Sequence, residues 1–213
     1  MNAFQAIFNF LFPKYCISCG IHGHLVCPSC LAQVGTPFEQ IQPWILSVWK
    51  YRHPTIRCAL HALKYKNSHA IAKDIAPYLY DELLAFLEDQ LITDREQILL
   101  VPIPMTAKKR RQRGFNQSEI LTREVAKQNR EMFHYTEILL KTRQTIPQAR
   151  VKQKSKRLTN LRGVFVHKNA SQIDGKTIIL VDDVTTTGAT LTEARKALRR
   201  AGAKRVFGIT VGH

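Results

Sequence analysis

Hydrophobic positions along the 213-residue chain fall into two regimes. In the first, apolar side chains recur at helical spacing. Residues 54–66 place Ile56, Leu60 and Leu63 on one side, with Pro54 at the first helical turn, where a missing N–H does no harm. Residues 68–92 continue the pattern, with Ser68 as candidate N-cap and Pro77 expected to kink or split the helix. Ahead of these, WILSVWKY (44–51) reads as a strand. Met1–Phe12 reads as a short amphipathic segment that packs Phe4, Ile7, Phe8 and Leu11 onto the domain.

From residue 98 the pattern changes to short, continuously apolar runs separated by helical stretches. ILLVPIP (98–104), EILLK (137–141), GVFVH (163–167), TIILV (177–181) and KRVFGITV (204–211) read as strands. Runs of this kind suit strands buried on both faces. Residues 116–130 read as a helix capped by Asn116, with Glu119 three positions on, and residues 188–202 as a helix closed by Gly202. The alternation over 97–211 predicts an α/β fold with a mainly parallel sheet flanked by helices. Three parts are expected: a helix and cysteine knuckle over 1–35, a helical middle segment over 36–96, and the α/β domain over 97–213.

Composition leaves this an ordinary globular chain, 45% apolar and 23% charged, which excludes disordered and fibrous classes. The apolar start is far shorter than the roughly 20 residues of a membrane span, and it lacks the basic n-region and small-residue cleavage site of a signal peptide. A cytoplasmic location is therefore expected, where thiols stay reduced.

Charge adds more. The chain has 32 Lys and Arg against 16 Asp and Glu, a net +16. Residues 1–100 hold 8 basic and 8 acidic side chains, so the whole excess lies beyond residue 100.

Four of the five cysteines form one run, Cys16-x2-Cys19-x7-Cys27-x2-Cys30. Two C-x-x-C knuckles can aim four thiolates at one point, which suits a structural Zn²⁺ ion. His22 and His24, in the gap, are able to replace a thiolate. A pair of disulfides is the alternative in an oxidising compartment. Cys58 reads as a small buried apolar residue.

The sharpest chemical signal is TIILVDDVTTTGATL (177–191). An apolar strand runs into Asp182 and Asp183, then into a hydroxyl-rich loop with Gly188, then into a helix. The loop amides and hydroxyls at a helix N-terminus suit a phosphate. The two acids would repel it and suit the vicinal hydroxyls of a ribose instead, so the pair describes a ribose 5-phosphate. No GxGxxG or GxxxxGK[ST] pattern supports a dinucleotide or P-loop alternative.

VDDVTTTGAT resembles the phosphoribosyl-diphosphate (PRPP) signature of type I phosphoribosyltransferases, and more closely that of the ComF competence family. VPIP (101–104), RGFNQ (113–117), Gln148, Arg157, Asn160, Phe165 and the four-cysteine knuckle belong to the same resemblance. It implies that Asp182 and Asp183 hold the ribose hydroxyls and that Thr185, Thr186, Thr187, Gly188 and Thr190 hold the 5-phosphate. It further implies a diphosphate loop with Lys108 and Lys109, a hood over 143–162, and Mg²⁺ bound with PRPP. Purine-salvage relatives carry an acid where Thr186 stands, and threonine cannot take a proton there.

The remaining basic residues exceed what a diphosphate needs. KKRRQR (108–113) and the acid-free stretch 141–168 suggest single-stranded DNA, through Arg110, Arg111, Arg113, Lys152, Lys154, Lys156 and Arg157. A third cluster spans 195–205. The expected role is PRPP binding with DNA handling during natural transformation. The alternatives are phosphoribosyl transfer to an unidentified acceptor, or a non-catalytic PRPP sensor docking a helicase-like competence protein through residues 1–66.

Overall fold

A computed structural model describes residues 13–37, 40–64, 68–92, 97–142 and 163–213. The amphipathic segment 1–12, the hood 143–162, and with it Gln148, Lys152, Lys154, Lys156, Arg157 and Asn160, lie outside the described residues.

Five strands form one parallel sheet: β1 (Ile45–Trp49), β2 (Ile98–Pro102), β3 (Phe133–Tyr135), β6 (Thr177–Val184) and β7 (Arg205–Gly212), in the order β1-β7-β6-β2-β3. Every residue of β1 is buried, as are the first five of β6. Strands with both faces covered need such continuous apolar runs. β1, from the N-terminal half, pairs in register with β7, with Ile45 opposite Gly208 and Trp49 opposite Gly212. β3, three residues long, is too short for its period to show in the sequence.

Helices cover both faces. Short α1 (Pro28–Ala32) carries the last of the four cysteines, Cys30, and α2 (Pro54–Leu63) and α3 (Ser68–Asp89) pack on the face that also carries α5 (Gln117–Ala126). Against the other face lie α6 (Ala189–Arg200) and an antiparallel ribbon of β4 (Leu139–Lys141) and β5 (Phe165–His167). The last helix, α4 (Ala107–Arg113), is a short basic turn after β2.

Several expectations change here. Among the described residues, the runs around 139 and 165 pair with each other and not with the sheet, and their outward residues Leu140 and Val166 are exposed. α3 runs through Pro77 as one helix, since Pro77 is on its exposed side, where the freed carbonyl meets water. Ser68 is the first residue of that helix. Cys58 is exposed on α2 and not in the core: it lies about 200° around the helix from Ile56 and Leu60, which are buried. Asn116 stands at the N-cap of α5, but its side chain does not cap the helix. Gly202 closes α6 as expected, with φ +95°. Among the described residues no helix is long and apolar enough to cross a membrane.

Candidate functional site

Right-handed crossovers carry the chain from β2 toward β3 and from β6 toward β7, in opposite directions. β2 and β6 are neighbours, so their C-terminal ends flank the one place where an open parallel sheet parts to receive a ligand. The two motifs read from the sequence, VPIP and VDDVTTTGAT, end these two strands.

Hydrogen bonds lock the motifs together. Ile103 N donates to the Val181 carbonyl at 2.9 Å, fixing the turn after β2 against the end of β6. Asn116 Nδ2, buried at the start of α5, donates to the Ile103 carbonyl at 3.0 Å. Two residues on, the Ser118 hydroxyl donates to Asp182 Oδ1 at 2.8 Å. Sequence reading missed Ser118; its place in the first turn of a helix after RGFNQ was the signal available. Residues 103, 116, 118 and 182 thus form one rigid rim.

Asp182 is half-buried, and its Oδ1 also accepts from Asp183 N at 2.9 Å. Burial and the adjoining Asp183 carboxylate push its pKa up to about 8 against the help of Ser118. A carboxyl so raised calls for a donor or cation to join it.

In the loop, Thr185 is buried and its hydroxyl accepts from Gly188 N at 3.1 Å, while Thr187 Oγ1 accepts from Ala189 N at 3.4 Å. These hydroxyls shape the turn from within. Thr186 faces solvent and Thr187 and Thr190 are half-exposed at the start of α6. Gly188 has φ +68°, and a Cβ there would sit 2.9 Å from Ile45 Cδ1. Only glycine closes this turn against β1.

On the other side of the crevice, the residues expected to form a diphosphate loop are helical instead. Thr106 caps α4 by accepting from Lys109 N at 3.4 Å, and Lys108 and Lys109 are exposed on that helix. Arg110 is engaged: it lies 3.0 Å from Glu119 and 3.8 Å from Glu137. Arg123 joins both carboxylates and stacks 3.9 Å over the Tyr135 ring. Arg113 donates to Gln117 Oε1 at 2.7 Å, and Arg111 is exposed.

Beside this network a cleft of about 220 Å³ is lined by Pro104, Met105, Asn116, Glu119, Glu137 and Lys141. Lys141, on β4, is half-buried. Burial lowers its pKa, Asp182 raises it and Lys109 lowers it further, so it answers to charges on both walls.

At the N-terminus, the four cysteine sulfurs lie within 4.8 Å of one another. Cys19 folds back through a turn in which Gly20 N donates to Cys16 O, and Cys27 is the N-cap of α1. None of the four is in a disulfide. Burial raises the Cys16 thiol, but the amides of Cys19, Cys27 and Ser18 outweigh it and hold the pKa down to about 6. The Ser18 side chain lowers Cys30, which Cys19, burial and the other two thiols together push up to about 12. Four thiolates cannot be packed this closely without a cation, and the group suits a metal ion. His22 and His24 stand outside it: His22 lies edge-on to Tyr15, and His24 is 3.3 Å from Asp74.

Residues 64–211 match the phosphoribosyl transferase domain family. The chain is 28% identical over 196 residues to the DNA utilization protein YhgH of Escherichia coli O157:H7, covering 90% of this chain and 80% of that one. It is 29% identical over 188 residues to competence protein ComFC of Streptococcus pneumoniae, covering 84% and 77%. It is 27% identical over 199 residues to competence protein F of Haemophilus influenzae, covering 90% and 81%. A match that takes in four of the five strands of the sheet, the switch point and the VDDVTTTGAT loop means that the protein belongs to the phosphoribosyl transferase domain family, with ComF-type competence proteins among its relatives.

Proposed function

We propose that the crevice binds PRPP with Mg²⁺ and that the protein handles single-stranded DNA in natural transformation. The observation that carries the reading is the Ser118–Asp182 junction at the switch point, where an acidic strand end faces a hydroxyl-rich helix start. Asp182 and Asp183 accept from the ribose hydroxyls. Thr186, Thr187 and Thr190 receive the 5-phosphate on a turn shaped by Thr185 and Gly188. Lys108 and Lys109 face the diphosphate from α4, and Mg²⁺ neutralises part of its charge. Zinc in the four-thiolate group is structural, since protein ligands fill its whole shell. The names of the relatives support the DNA-related role, and the basic excess beyond residue 100 is the matching physical property.

Calorimetry with PRPP and Mg²⁺ tests the site. Wild type should bind, and Asp182→Asn/Asp183→Asn should bind at least about tenfold more weakly, the loss of two charge-assisted hydrogen bonds. Equal affinity overturns the assignment. A second reading, transfer of phosphoribosyl to an acceptor, is favoured by the cleft of about 220 Å³ next to the crevice. Its measure is pyrophosphate release from PRPP with candidate acceptors.

A further inference from the structure

α6 turns Leu191, Ala194 and Leu198 to the sheet. That leaves Lys196, Arg199 and Arg200 exposed and Arg195 half-buried, in two adjoining columns with cations repeated about every 6 Å along the axis. The turn beyond brings in Lys204, whose amide donates to the Lys176 carbonyl at 2.9 Å, so Lys176 joins the same end of the molecule.

Among the described residues of α6, one acid meets the row. Glu193 is 9% exposed and is taken up by Lys196 at 2.7 Å, and Asp174 packs against Gly202. The fold also engages a second cation: Arg199 donates to the carbonyls of Ala203 and Lys204 and closes the helix. The helix C-terminus favours positive charge only weakly and only within its last turn, which does not account for a whole row.

At the head of the row the Arg195 guanidinium lies 4.4 Å from the Trp44 ring centre, and its Nε is buried with no hydrogen-bond partner. Burial and the neighbouring Arg199 lower its pKa, so the row carries repulsion that an anion would relieve. An aromatic face with a stacked guanidinium beside a line of cations is the combination that holds unpaired bases and their backbone without sequence preference.

We propose that this ridge, from Trp44 and Arg195 to Lys204 and Lys176, is a track for the phosphate backbone of single-stranded nucleic acid, separate from the ribose-phosphate crevice. The inference rests on the DNA-handling reading and places the contact on α6, in place of the Arg110–Arg113 and 152–157 clusters named from the sequence. Gly188 marks the crevice end of α6. Arg195 is about 10 Å further along the helix and Arg200 about 18 Å, so the ridge leads away from the crevice and both ligands bind together.

Fluorescence anisotropy of a labelled oligo-thymidine strand with the full chain, across a salt series and with or without saturating PRPP and Mg²⁺, tests it. Lys176→Gln/Arg200→Gln/Lys204→Gln should bind the strand about tenfold or more weakly. Its slope of log affinity against log salt should be shallower by about 2, the share of three phosphate contacts. The same variant should keep wild-type affinity for PRPP, which shows that it folds. Trp44→Leu should weaken strand binding about fivefold or more. PRPP should change strand affinity less than about twofold, the limit for independent sites.

If the ridge variant binds like wild type while Lys152→Gln/Lys154→Gln/Lys156→Gln/Arg157→Gln does not, the location is overturned and the DNA-handling reading stands. If wild type binds no strand, that reading falls as well. Equal affinity for duplex DNA, or ridge-dependent binding to anionic phospholipid vesicles in place of the strand, overturns the occupant.

Discussion

A carboxyl group that accepts a hydroxyl at 2.8 Å and lies against a second carboxylate is divided between two charge states. For Asp182 the sign follows from its raised pKa. The folded chain holds the proton more tightly than the unfolded chain, so this contribution to stability is full below about pH 4 and is lost as pH rises toward 8. Without ligand, thermal unfolding between pH 5 and 8 should therefore show wild type losing ground to Asp182→Asn, and a flat difference would contradict it. Ser118→Ala should cost about 1–3 kcal/mol of stability and weaken PRPP binding, read by denaturation and calorimetry. At this scale the sequence was partly legible. The pair Asp182–Asp183 stood out because two acids have no place at the end of a buried strand. Ser118 did not, because a serine in a first helical turn looks like any other. Asn116 was placed at the right position, but with its side chain on the wrong partner: tertiary contact with Ile103 displaced the cap.

Among elements, the turn from β6 into α6 is the tightest constraint. Gly188→Ala should destabilise the protein by about 1–3 kcal/mol, from the left-handed backbone and the clash with Ile45, and should weaken PRPP binding with it. Denaturant unfolding and calorimetry read the two effects, and wild-type values for both would show that the turn has slack. The strands of the central sheet were legible because burial on both faces writes a continuous apolar run. β4 and β5 were legible as strands but not as a separate ribbon, since pairing partners leave no mark within runs of three residues. The charge of α4 and α6 was plain in the sequence. Its division was not: Arg110 is held by Glu119 and Glu137, which approach from α5 and from two residues ahead of β4.

Across the whole molecule, the cysteine knuckle is tied to the domain by an acid on α3, by a hydroxyl pair and by Leu25 and Val26 in the core. Asp74 Oδ2, on α3, accepts from Leu25 N at 2.7 Å and from Val26 N at 3.1 Å, and Ser18 reaches Thr55 on α2 at 2.9 Å. The knuckle therefore reports to α3, and α3 packs on the sheet. Chelation should expose the four thiols to reagent and lower the unfolding temperature of the whole chain, and Asp74→Ala should cost about 2–4 kcal/mol with metal still bound. Metal loss without any change in stability would mean that the knuckle stands alone. The four-cysteine spacing announced this site, whereas its anchor lies about 50 positions away in sequence and depends on the fold.

The position of β7 has a consequence for biosynthesis. This strand lies between β6 and β1, so the sheet is joined across its middle by residues 205–212. Until they leave the ribosome, β1 and β6 each present an open edge with no neighbour, and unpaired apolar edges are where chains associate wrongly. Closure of the sheet must wait for residues 205–212, and a nascent chain stalled before residue 205 should be held by chaperones or aggregate. Of the five strands of the sheet, the one that joins β1 to the rest is made after the other four.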